Sequence, residues 1–246
     1  MLLQVYKYID PEDANRHWSE FETANEIIQP GVDVFGFHIM EPVTVITDLF
    51  VAVVCFYAWH QIKKEEAKTK PQFYTQIFML LMGLAATLGA ILGHALIHIV
   101  PPLFKLPGWY LSMFATAFIE RAAIEQASNT MPKKVIDFFL KLNIAELIIL
   151  CIIVLVTFNF KYVEFHSAYG FLIVVLFFHS YNYKKTKNKG SRMMMLNTIL
   201  LLVAVFIFNW PVVLHTFFNH RDLAHIVMAI SIYVITRASL VEADSV

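Results

Sequence analysis

An all-α bundle of seven membrane-spanning helices is the fold class this sequence predicts, and three observations predict it. Of its 246 residues 58% are hydrophobic and only 15% charged, too apolar for an ordinary soluble domain of that length. The apolar residues come in runs of about 20, the length that crosses a bilayer core at about 1.5 Å per residue. Lysine and arginine gather in alternate connections between those runs.

The predicted spans are Pro42 to Ile62, Phe73 to Ile99, Gly108 to Gln126, Val135 to Phe158, Val163 to Tyr183, Met194 to Phe217 and Leu223 to Ile235. Residues 1–41 precede them as an extracytoplasmic segment, with turn signals at Asp10-Pro11 and Pro30-Gly31 that suit a cap over the mouth of a bundle. The bundle itself occupies 42–238, and 239–246 form a short tail. Pro42 fits a first helical turn, where its missing N–H costs nothing. Pro101-Pro102 and Pro107-Gly108 close span two and launch span three. Span two carries Gly83, Ala86, Gly89, Ala90 and Gly93, a small-residue stripe that lets a neighbouring backbone approach.

Lys63, Lys64, Lys68 and Lys70 follow span one, Lys133 and Lys134 follow span three, and Lys184, Lys185, Lys187, Lys189 and Arg192 follow span five. The other connections hold only Lys105, Lys161 and Arg221. The positive-inside rule then places the N-terminus outside and the C-terminus inside. Seven spans satisfy that parity, and the cell membrane is the expected location. Residues 1–18 lack an apolar stretch after a basic patch, so no cleavable signal is expected and span one directs insertion. Net charge is zero, giving no indication of nucleic acid as a partner. Cys55 and Cys151 both fall in apolar runs and read as small core residues. No fixed-period repeat is detected, which disfavours inverted-repeat transporters.

This topology assigns each ionisable residue a depth. Seven of the ten histidines converge on the outer leaflet: His38, His94, His98, His166, His215, His220 and His225. Asp48 and Asp222 lie at the same level. An ionisable group inside a span costs about 2.5–3.5 kcal/mol on the insertion scale, so it faces the bundle interior and a partner. His94 and His98 stand four residues apart and can address one ion from one helix face; Asp222 and His225, three apart, can do the same from span seven. These four are the predicted metal ligands, with zinc the ion that suits imidazole nitrogens plus a carboxylate and leaves a position open for water. Asp48 is expected to act as general base or to orient a ligand histidine, and Asp222 shares the catalytic assignment. Asn219 can cap span seven, while His220 and Arg221 are expected at the boundary. Deeper in the bundle, Glu120 and Arg121 of span three face Lys141, Asn143 and Glu146 of span four as a charge-neutralising clamp, unless Arg121 and Lys141 snorkel inward.

The phrases "EPVTVITDLF", "LGAILGHALIH" and "NHRDLAHIVM", opening span one, closing span two and opening span seven, resemble the superfamily of alkaline ceramidases and progestin and adipoQ receptors. The resemblance covers the bundle in architecture and these short phrases in sequence. It implies a zinc ion held by one histidine near the end of span two and two histidines on span seven. Here Arg221 stands four residues before His225, where that pattern has its other histidine, and span two carries two histidines. The superfamily's serine, four residues before the span-two ligand, matches His94 or Ala90, and Ser112 stands at the outer end of span three where an aspartate is usual.

The leading expectation is an integral-membrane zinc-dependent hydrolase that cleaves an amide or ester bond of a membrane lipid. The alternative is a non-catalytic seven-span receptor or sensor with a structural metal or a pH-responsive histidine cluster. Haem held between facing histidines of spans two and seven is a third possibility. A retinal pump is disfavoured, because span seven has no buried lysine.

Overall fold

The computed structural model describes residues 29–65, 68–210 and 212–243. The Asp10-Pro11 turn and the end of the tail lie outside the described residues. Strands β1 (Val32–Val34) and β2 (Phe37–Ile39) pair antiparallel as a hairpin. Its two-residue turn has positive φ at both Phe35 and Gly36, the geometry that matches strand twist. Seven helices follow: α1 (Pro42–Lys63), α2 (Lys70–Ala95), α3 (Leu106–Gln126), α4 (Lys133–Thr157), α5 (Lys161–Thr186), α6 (Lys189–Asn209) and α7 (His220–Ala243). A second hairpin, β3 (Val213–His215) with β4 (Phe218–Asn219), joins α6 to α7. Span six, predicted to reach Phe217, therefore ends at Asn209, and His215 is an exposed strand residue.

Local chemistry explains the helix starts. Thr69 and Gln72 form a reciprocal cap ahead of α2, with Pro71 in its first turn, satisfying amides that have no partner within the helix. Asn188 accepts from the Ser191 amide to start α6. Two helices widen locally: α2 becomes π-helical over Gly89–Ala95 and α5 over Gly170–Val175. Each such turn holds an extra residue and rotates what lies beyond it.

α1 packs on α2 and α7, α2 on α3, α3 on α4 and α5, α5 on α6, and α6 on α7. The main core runs through Val51, Cys55, Phe78, Ile119, Phe178 and Ile235. Gly83 lets Phe56 of α1 lie against α2, since a Cβ there would come within 2.9 Å of that ring. Six helices are long and apolar enough to cross a membrane. α3 falls short of them, with Glu120, Arg121 and Glu125 along its second half. α4 is the opposite, with Ile144, Ile148, Ile152 and Leu155 all exposed along one side, a patch that water would penalise heavily.

Candidate functional site

Glu41 is the first node of the outer cluster. It precedes α1 with φ 46°, the left-handed region, which costs a non-glycine residue about 1–3 kcal/mol and persists only where the surroundings over-determine it. Here they do. Its carboxylate, 0% exposed, accepts from His94 Nδ1 at 2.6 Å and from Arg221 Nη1 at 3.3 Å. Burial pushes the Glu41 pKa up, but the His94 hydrogen bond and the charges of His94 and Arg221 outweigh it and hold the carboxyl below the ordinary glutamate range. The adjoining Met40 amide donates to the Ala95 carbonyl at 3.1 Å, so the hairpin is fastened to the widened end of α2.

Asp222 is the second node, also 0% exposed. Its Oδ2 accepts from Gln29 Nε2 at 2.6 Å and from the Asn219 amide at 2.7 Å; its Oδ1 accepts from Thr44 Oγ1 at 2.8 Å, with Thr47 Oγ1 at 3.5 Å. Asn219 Oδ1 in turn accepts from the Arg221 amide at 2.9 Å, so the expected Asn219 cap is reciprocal with Asp222. Those donors occupy the lone pairs a metal would use.

Asp48 differs from both. Buried on α1, it has no hydrogen-bond donor among the described residues, and His225 Nε2 stands 3.7 Å from its Oδ1. Gly89 makes room for it, because a Cβ there would sit 2.8 Å from Asp48 Oδ2. His225 is fixed on its far side by Thr47 Oγ1, 3.1 Å from Nδ1. The His94 and His225 rings meet edge to face with centroids 6.4 Å apart. Both imidazoles thus have Nδ1 engaged, by Glu41 and Thr47, and neither Nε2 has a hydrogen bond among the described residues. Metal-binding histidines are held in this way.

Of the residues predicted as ligands, His94 and His225 meet beside Asp48. His98 does not join them. The π-helical turn ends the helix at Ala95, so the expected shared face is lost, and His98 stacks against His38 of the hairpin with centroids 5.1 Å apart. Burial, then the His38 charge, lowers the His98 pKa. Arg221, expected at the boundary, is buried and paired. Ser112 donates to the Trp109 carbonyl within its own helix at 2.7 Å.

The expected clamp is also redrawn. Lys141 is exposed, and Arg121 donates to the Leu140 carbonyl and to Asn143 Oδ1, both at 3.4 Å. Asn143 Nδ2 donates to Glu120 Oε2 at 2.8 Å. His166, expected at a span end, is 0% exposed and joins Glu146 at 2.8 Å. Gly170, one turn later, leaves room for Glu120, since a Cβ there would fall 2.5 Å from its Oε1. Among the described residues, Glu120, Glu146 and His166 are the set whose ligand atoms all lie within 4.8 Å of one another; the outer set is more open.

The chain belongs to the DUF6962 family, a family of unknown function, whose match covers residues 43–243. Neither a curated protein nor a solved structure matches it.

Proposed function

We propose that this DUF6962 member is a seven-span membrane protein, N-terminus outside, whose outer cluster is a zinc-dependent centre for hydrolysis of a lipid amide or ester. In this reading α3 is the seventh span, and the alternating lysine-rich connections set the orientation. One observation carries the site: two imidazoles with their Nδ1 atoms engaged flank a buried carboxylate that has no hydrogen-bond donor. His94, His225 and Asp48 suit zinc as a donor set, and the 3.7 Å between His225 Nε2 and Asp48 Oδ1 is near the about 3.3 Å separating two ligands of a tetrahedral ion. Asp222 and His98 drop out of that set. The placement of His94 and His225 on the second and seventh helices also supports the resemblance to the ceramidase and adipoQ receptor superfamily.

Zinc supplies Lewis acidity and lowers the pKa of a coordinated water. The chain's own residues do the rest. Glu41 and Thr47 hold the two rings in orientation, and Asp48 either completes the ligand set or takes the proton from water, returning it to the leaving amine or alkoxide. Arg221 keeps Glu41 charged and in place. Metal analysis of the purified full chain, with lipid amides and esters as substrates, tests this. Zinc and turnover are expected in wild type, with turnover falling about 10²–10⁴-fold in Asp48→Asn and one equivalent of zinc per chain lost in His225→Ala. Wild type without zinc, or His225→Ala holding as many equivalents as wild type, would sink the reading.

The saturated carboxylates of Glu41 and Asp222 favour a second reading, a receptor or sensor in which the cluster locks the outer mouth. Zinc without cluster-dependent lipid hydrolysis selects it.

A further inference from the structure

The membrane-embedded interior holds a second constellation, separate from the outer cluster, where α3, α4 and α5 meet. Glu120 is 0% exposed and the Glu146 side chain 15%. Each has one oxygen at hydrogen-bond distance from a partner and one with none among the described residues: Asn143 donates to Glu120 Oε2 and His166 Nδ1 lies 2.8 Å from Glu146 Oε1, while Glu120 Oε1 and Glu146 Oε2 are buried without a hydrogen bond from a described residue. Leaving such an oxygen unpaired is costly, more so when it is charged.

His166 sharpens the chemistry. Its Nε2 lies 3.0 Å from the Met113 carbonyl oxygen, which can only accept, so the hydrogen of the neutral ring is on Nε2. Nδ1 then meets the Glu146 carboxylate in one of two ways: with a proton, as an imidazolium donating to Oε1, or with its lone pair, in which case a cation must stand where the proton would be. A ring nitrogen whose other N–H is tied to a backbone carbonyl is oriented as metal-ligating imidazoles are. One ring nitrogen of His166 and one oxygen from each carboxylate lie within 4.8 Å of one another. Gly170, in the π-helical turn of α5, leaves the space that Glu120 Oε1 occupies.

We propose that Glu120, Glu146 and His166 bind a divalent first-row metal ion inside the bundle, as a site distinct from the outer one. One imidazole and two carboxylates suit Zn²⁺ or Mn²⁺. Buried carboxylates within a span are otherwise costly, and the ion ties together three helices that the clamp reading linked only in part. Asn143 positions Glu120 without ligating, and Arg121 supports Asn143 from the other side.

The test uses the full chain in detergent, stripped of metal and titrated with Mn²⁺ or Zn²⁺. In an Asp48→Asn/His225→Ala background, one equivalent of ion is expected to remain. Adding Glu120→Gln should weaken it roughly 100-fold or more, and Gly170→Ala, which keeps every ligand but crowds Glu120 Oε1, should weaken it too. A folded background variant that binds no ion overturns the proposal, whatever the outer site does. Wild-type crystals soaked in Mn²⁺ decide independently of any variant: anomalous density among Glu120, Glu146 and His166 is expected, and its absence there refutes the site.

Discussion

The outer and inner clusters are built from the same kinds of group, carboxylates and histidine beside a widened helical turn, yet they distribute hydrogen bonds in opposite ways. Outside, Glu41 and Asp222 accept from protein donors on both oxygens, and only Asp48 has none. Inside, Glu120 and Glu146 each keep a buried oxygen without a donor. A carboxylate with every lone pair used fastens chain segments together; one with lone pairs to spare is placed for a proton or a metal. The lesson is that residue type and depth locate a polar cluster in a bundle, whereas donor accounting separates its fasteners from its chemistry.

The comparison breaks most readily at Glu41. Glu41→Ala leaves the buried Arg221 without that acidic partner and should cost about 3–5 kcal/mol, seen as a lower melting temperature in detergent. A melting temperature within error of wild type would put Glu41 with the spare carboxylates instead. Acid provides a gentler probe. Because the folded-state pKa of Glu41 is depressed, its stabilisation is complete above the ordinary glutamate pKa and is lost as pH falls through the lower folded value. Wild type should therefore lose stability below about pH 4 in a step that Glu41→Gln lacks. The same step in both proteins would assign it to another group. In metal-free protein, Asp48→Asn should have the smallest effect on stability, under about 1 kcal/mol, since it removes no hydrogen bond donated to Asp48 by the described residues. A large loss would make Asp48 a fastener too.

Much of this was legible in the sequence. Apolar runs of bilayer length recover all seven helices, most boundaries shifted by up to about five residues, as expected if lipid demands a continuous helix. Span six was overdrawn, where the apolar run continues into Val213 to Phe218 of a hairpin, and span seven was cut short, since its helix runs on to Ala243. Depth brought His94, His225 and Asp48 to one level. That Asp222, and not Asp48, would have its oxygens filled by donors was not legible, because those donors include Gln29 and Thr44, 193 and 178 positions away. Nor was the loss of His98, since four-residue spacing implies a shared face only where the helix continues, and the turn at Gly89–Ala95 ends it. His166 was hidden by its place near a span end; nothing in its neighbours marks it as buried until α4 brings Glu146 to it.

The division between fastener and reactive group meets its most direct test in the zinc content of two conservative variants, Asp48→Asn and Asp222→Asn, measured per folded chain beside wild type. Asp222→Asn should keep zinc at the wild-type level while melting at lower temperature, and Asp48→Asn should lose or weaken zinc while its metal-free form melts with metal-free wild type. Zinc lost in Asp222→Asn and retained in Asp48→Asn would contradict the assignment and return Asp222 to the metal.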